Sequence, residues 1–195
     1  MQMKLKLTVA AAVMAMGGLA FAQGTQTVVI GSVAPMSGPQ AHYGTDNANG
    51  VLMAVNDLNK EGLDIGGKKI TFKADVEADA ADPKQGPAVA QKLCDSHVNG
   101  VVGHLNSGTT IPASTIYHQC GIPMVTGSAT NPDLMKPGYD TSFRIIANDN
   151  ALGAALAFYA ADALHIKKVA VVDDRTAYGQ GVASVFKKTA EEKGI

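Results

Sequence analysis

The sequence predicts an α/β protein built on a doubly wound parallel sheet. Two observations carry that expectation. From Thr27 to Ala147, short apolar runs alternate with segments of helical periodicity, and no internal repeat or low-complexity tract interrupts them. The first run, Thr27–Ala34, is almost continuously apolar, as expected of a strand covered on both faces. Strand–helix–strand units of this kind close by right-handed crossovers, which puts helices on both sides of one sheet.

The elements follow in order. After Thr27–Ala34 comes a loop, PMSGPQAHYG, and then a helical stripe of Ala48, Val51, Leu52, Val55 and Leu58 that Gly62 caps. Ile70, Phe72, Ala74 and Val76 alternate, which marks a strand with one better-covered face. Asp82-Pro83-Lys84-Gln85 has the form of a capping box with Pro at the first helical position, and its helix carries Val89, Ala90 and Leu93. Gly100–Leu105 and Ile122–Thr126 are two further strands. Ala113, Ile116, Tyr117 and Cys120 lie between them at i, i+3, i+4, i+7 on a helix. Ser142–Ala147 is a fifth strand. Beyond Asn148-Asp149-Asn150, a helix with Leu152, Ala155, Leu156 and Tyr159, a strand at Val169–Val172, and a helix with Val182, Val185, Phe186 and Thr189 continue the alternation up to a cap at Gly194.

Residues 1–22 stand apart. Lys4 and Lys6 precede an apolar run, Leu7 to Ala20, and Ala20-Phe21-Ala22 supplies an A-x-A cleavage site. This is the pattern of a secretory signal peptide, too short and wrongly flanked for a membrane span. Losing those two lysines takes the formal net charge from −1 to −3. With no basic block and no Trp, nothing points to a nucleic-acid or membrane-surface partner. Export leads to an oxidising compartment, where Cys94 and Cys120 can pair. They end two helices expected side by side on one face of the sheet, so either a disulfide or two partly buried thiols is compatible with the pattern.

The chemistry concentrates at two strand ends. Ser107, Thr109 and Thr110 follow the Gly100–Leu105 strand, and Ser128 and Thr130 follow the next. In parallel sheets ligands bind beyond the carboxyl ends of the strands. Ser107 opens a helix whose positive end favours an anion such as a carboxylate. Simpler roles stand beside these: Ser107 as a helix cap, Thr130 as a turn residue before Asn131-Pro132, Tyr178 as an exposed ring.

Five segments carry a resemblance: SVAPMSGPQAHYG (Ser32–Gly44), DPKQ (Asp82–Gln85), GHLNSGTTIPAS (Gly103–Ser114), TGSATNPDL (Thr126–Leu134) and DDRTAYGQG (Asp173–Gly181). Together and in order they resemble the periplasmic branched-chain (Leu/Ile/Val) amino-acid-binding proteins, the type I solute receptors of ABC importers. That resemblance implies a first ligand-binding lobe over residues 23–148 and the start of a second over 149–195. It also implies that the sequence is a fragment, since members continue for about as many residues again. It implies that Ser107 and the Thr130 backbone take an amino-acid carboxylate. The Ser128 carbonyl and the Thr130 hydroxyl, with Ala129 between them, would help to hold the ammonium. Tyr43, Leu105, Asn106 and Tyr178 would wall the ligand side chain. Members add an acidic and an aromatic residue from the second lobe, and neither is in this chain. Some members carry a different cysteine pair, at positions that here read Ala81 and Asn106. The implied partners are a free amino acid, best fitted by Leu, Ile or Val, and an inner-membrane ABC permease. The implied protein is a periplasmic monomer without cofactor or metal. The same fold also serves as a sensing domain in receptors and regulators for amino acids, amides or small carboxylates, and that alternative stays open.

Enzymatic readings find little support. There is no G-x-x-x-x-G-K-[ST] phosphate loop and no G-x-S-x-G nucleophile elbow. Gly179-x-Gly181 lacks the rest of a dinucleotide fingerprint. The five histidines are scattered without i, i+4 pairs, and His104 on its strand reads as a packed, hydrogen-bonded residue.

Overall fold

The computed structural model describes residues 24–195, so the signal-peptide reading lies outside the described residues. A six-stranded sheet runs in the order β2-β3-β1-β4-β5-β6. β1 is Thr25–Ala34, β2 Asp64–Ile65, β3 Lys68–Ala78, β4 Gly100–Gly103, β5 Met124–Thr126 and β6 Ser142–Arg144. Every pairing is parallel except β2 with β3. The chain winds from β1 outward to β3 through helix α1, Ala41–Glu61. It then crosses back and winds the other way through α2, Gln85–Asp95, and α3, Ser107–Cys120. Right-handed crossovers in opposite directions put α1 on one face and α2 with α3 on the other. The direction reverses between β1 and β4, and that reversal opens a crevice at their carboxyl ends.

Up to β6 the expected strands and helices are present with shifted ends. Gly62 caps α1 in the left-handed region at φ 68°, donating its N–H to the Leu58 carbonyl at 3.3 Å. β2 has no signal in the sequence, being two residues that return antiparallel on the β3 edge. Farther along that edge the Asn59 side chain bonds both the N–H and the carbonyl of Phe72, at 2.8 and 2.9 Å, which closes part of an exposed ladder. Asp82 does not open a capping box: α2 starts at Gln85, and Asp82 accepts the Lys84 N–H at 2.9 Å in a turn before it. The fifth parallel strand stops at Arg144 rather than Ala147.

The core lies on the α2–α3 face, where Val33, Leu93, Val101, Ala113, Tyr117, Ile122 and Met124 pack together. Cys94 and Cys120 form a bonded pair at the carboxyl ends of the two helices, with Cα atoms 6.1 Å apart and inside the span a disulfide can bridge.

Beyond β6 the picture changes. Helices α4, Asp149–Phe158, and α5, Ala177–Glu192, pack on each other, with a π-turn at Tyr159–Ala163 after the first. Val169–Val172 is not a strand; Val172 is 89% exposed and no ladder partner stands beside it among the described residues. A strand needs a neighbour for its N–H and carbonyl groups, and without one the apolar residues gain nothing from extended pairing. For the same reason the stripe of Leu152, Leu156 and Tyr159 on and after α4 is exposed, while the small residues Gly153 and Ala157 are buried. No helix of the described residues is long and apolar enough to cross a membrane.

Candidate functional site

The crevice at the β1–β4 reversal is bordered by the loop after β1, the start of α3 and the loop after β5. Gln40 and Asn106 join the first two borders: the Asn106 amide donates to Gln40 Oε1 at 2.8 Å. Asn106, not Ser107, is the N-cap of α3, and it caps with its backbone. Its carbonyl accepts the N–H groups of Thr109 and Thr110 at 3.1 and 2.9 Å, and both of their hydroxyls as well. The N–H groups of Ser107 and Gly108 come earlier in the turn, where a helix offers no internal acceptor. They are the natural donors for an anion.

Ser107 is therefore not the cap that its sequence position suggests. Its hydroxyl oxygen accepts the Asn131 N–H at 3.2 Å and ties the end of β4 to the loop after β5. In the β5 loop, Ser128 is exposed and Ala129 is buried, and Thr126 Oγ1 accepts both of their N–H groups at 3.2 and 2.9 Å. The Thr130 hydroxyl is buried beside the Asp149 carboxyl without a well-formed bond. Leu105 and Asn106 are half-buried, whereas Tyr43 in the first turn of α1 is exposed and lies tilted at 40° against the His42 ring. Tyr178, the second residue of α5, is exposed on a cavity of about 460 Å³ that Leu156, Val171, Val182 and Phe186 also line. The structure thus brings Leu105, Asn106, Ser107, Ser128, Ala129 and Thr130 to one pair of strand ends. Tyr43 and Tyr178 stand on separate elements.

A buried network holds these strand ends in place. His104 Nδ1 donates to Asp79 Oδ2 at 2.8 Å, and His104 Nε2 lies 3.0 Å from the Tyr117 hydroxyl. Asp79, His104 and Tyr117 are all fully buried. Burial raises the Asp79 carboxyl, but the His104 hydrogen bond and charge outweigh it and leave the group below its ordinary value. Burial and the Asp79 charge push the Tyr117 phenol up, so it stays protonated. The His104 carbonyl accepts the hydroxyls of Thr110 and Thr126, which locks α3 and β5 to the end of β4. With no exposed atom, His104 has no route to a ligand. Its role is support.

Two groups that the sequence reading did not single out complete the site. Arg144 Nη1 donates to the carbonyls of Ala129, Thr130 and Asn131 at 3.5, 3.3 and 3.0 Å, fixing the path of the β5 loop. Asp149 donates its N–H to the Thr130 carbonyl at 3.0 Å, and both of its carboxylate oxygens are buried without a well-formed bond. Burial pushes this carboxyl above its usual range, an effect that the Thr130 hydroxyl and Arg144 reduce. No cluster of three or more potential metal ligands occurs among the described residues.

Comparison with known proteins fits this geometry. The leucine-, isoleucine-, valine-, threonine-, and alanine-binding protein of Pseudomonas aeruginosa is 39% identical over 185 residues, covering 94% of this chain and 49% of that protein. An ABC transporter substrate-binding protein from Desulfitobacterium hafniense, solved in complex with Leu, superposes with a TM-score of 0.69 at 33% identity, covering 87% of this chain and 49% of its own. A solute-binding protein of an ABC transporter from Rhodopseudomonas palustris BisB5, in complex with 3,4-dihydroxy benzoic acid, gives a TM-score of 0.72 at 25% identity, covering 86% and 45%. The chain therefore spans about half the length of the relatives it matches. The sequence profile of periplasmic binding proteins matches residues 27–195, and the chain belongs to that family.

Proposed function

We propose that this chain is the ligand-binding part of a periplasmic solute receptor that takes up a free branched-chain amino acid and presents it to an inner-membrane ABC permease. The observation that carries the reading is the convergence of two strand ends with complementary chemistry. The start of α3 offers the N–H groups of its first turn and the Ser107 hydroxyl to a carboxylate, and the β5 loop offers the Ser128 carbonyl to an ammonium. Relatives that bind leucine or isoleucine support the amino-acid class. Binding is followed by closure of the second lobe over the ligand, bringing Tyr178 against its side chain. The protein transforms nothing chemically, and its product is the loaded, closed form.

Calorimetric titration of the native gene product with L-leucine, L-isoleucine, L-valine and 3,4-dihydroxybenzoate tests the reading. Saturable binding of the three amino acids and none of the aromatic acid is the expected result. Binding of the aromatic acid alone would overturn it.

A further inference from the structure

Asn131 spends every polar atom it has, on four different parts of the fold. Its N–H donates to Ser107 Oγ at 3.2 Å, at the end of β4. Its carbonyl accepts Arg144 Nη1 at 3.0 Å, from β6. Its side-chain oxygen accepts the Asp133 N–H at 2.8 Å, opening the turn at Pro132–Met135. Its side-chain amide donates to the Ala177 carbonyl at 2.6 Å, on the first residue of α5. The last bond is the unusual one, because it leaves the sheet lobe altogether.

Gly181 shows how closely that helix approaches. A Cβ at this position would stand 2.9 Å from the Asn131 amide nitrogen and 3.1 Å from Asp149 Oδ2. Both distances are tighter than an ordinary contact, so the α5 backbone lies against the Asn131 amide only because position 181 has no side chain. Ala177 and Tyr178 are neighbours in the first turn of α5, and Thr130 and Asn131 are neighbours in the ligand loop. A single buried amide thus separates the residue expected to hold the ligand's polar head from the residue expected to cover its side chain.

We infer that Asn131 is a positioning residue: its amide holds the first turn of α5, and so sets Tyr178, in register with the ligand loop across the two lobes. The inference rests on the amino-acid-receptor reading above and names the contact that joins the two halves of that site. The amide touches no ligand. It acts through Ala177, and its loss leaves the carboxylate-binding groups of α3 where they are.

The test is a double-mutant cycle on the native product with L-leucine as probe. Asn131→Asp keeps an acceptor for the Asp133 N–H but cannot donate to the Ala177 carbonyl. The expected result is a leucine affinity lower by about tenfold or more, with the change in dissociation rate and the association rate within about twofold. In a Tyr178→Ala background the same substitution is expected to change affinity by less than about twofold, because the ring it positions is gone. Gly181→Ala crowds the same approach from the other side while leaving the Asn131 side chain its donor and acceptor, and is expected to weaken leucine binding in the same direction. It keeps the test decisive if Asn131→Asp does not fold. Additive effects in the cycle, or unchanged leucine binding in both variants, would overturn the inference and leave the receptor reading intact. A wild-type protein that binds neither leucine nor its branched relatives would overturn both.

Discussion

The pair Cys94–Cys120 gives a prediction whose size follows from the chain itself. The two residues are 26 apart in sequence, and cross-linking them removes loop-closure entropy from the unfolded chain. For a loop of that length the entropic stabilisation is about 3.5 kcal/mol at 25 °C. At about 2–4 °C per kcal/mol for a chain of this size, the melting temperature is expected to fall by about 7–14 °C when the bond is lost. Cys120→Ser is the clean perturbation, because Cys120 is exposed while Cys94 is buried in the core, where a serine hydroxyl would add its own cost. The assay is urea unfolding of the wild type and the variant, each with and without reductant. Reductant is expected to bring the wild type down to the variant and leave the variant unchanged. The pair sits at the far end of α3 from Ser107, about 20 Å along the helix axis, so leucine affinity measured where both proteins are folded is expected to be equal. A loss below about 1 kcal/mol, or two titratable thiols on the unreduced, unfolded protein, would refute the reasoning.

Other expectations follow from the site and its supports. On the proposed reading Ser107→Ala removes a ligand donor as well as the acceptor of the Asn131 N–H, and calorimetry should find leucine binding weaker by about 1–3 kcal/mol. Asp79→Asn should cost about 1–3 kcal/mol near neutral pH, measured by urea unfolding. Because the folded Asp79 carboxyl is held below 3.8, its contribution is complete above that value and disappears as pH falls through the folded value, so the two proteins should converge in acid. Asp149→Asn should show the opposite sign. Its carboxyl is raised by burial, so the charge costs stability at neutral pH, and the variant should melt higher than the wild type at pH 7. That advantage should disappear as pH falls below 3.8, where the carboxyl is protonated in both folded and unfolded chains.

What the sequence made legible was what short-range pattern encodes. Continuous apolar runs placed β1, β4 and β5, and the i, i+3, i+4, i+7 stripes placed α1, α2 and α3. The crevice followed from topology once the alternation was read, and Ser107 and the Ser128–Thr130 loop followed from strand ends. Residues whose roles depend on partners far along the chain were not legible. Asp79, His104 and Tyr117 form one network across separations of 25 and 13 residues, and Asn131 reaches Ala177 across 46. The capping role was misplaced by one residue because a serine at a helix start is a common cap, while here the backbone of Asn106 does the work and frees Ser107 to bond across to the next loop. At Val169–Val172 the β-branched run was real, but a strand is a property of a pair and no partner lies beside it among the described residues.

That contrast bears on how the site is built. The groups expected to meet a ligand directly are few and mostly backbone: N–H groups at the start of α3 and a carbonyl at Ser128. Backbone groups have no side chain to adjust, so their accuracy depends on what fixes the loops that carry them. In this fold three buried devices do so. The His104 carbonyl ties Thr110 of α3 to Thr126 of β5, Arg144 gathers three successive carbonyls of the β5 loop, and Ser107 bonds Asn131 across the gap. Each links the α3 start or the β5 loop to something rigid, and the Ser107–Asn131 bond links them to each other. A receptor that recognises a charged pair on adjacent atoms needs its donors and acceptors held at a fixed spacing before the ligand arrives, since any slack would have to be removed at the expense of affinity. The buried polar residues around these strand ends hold that spacing, and the fully enclosed His104 is part of that support.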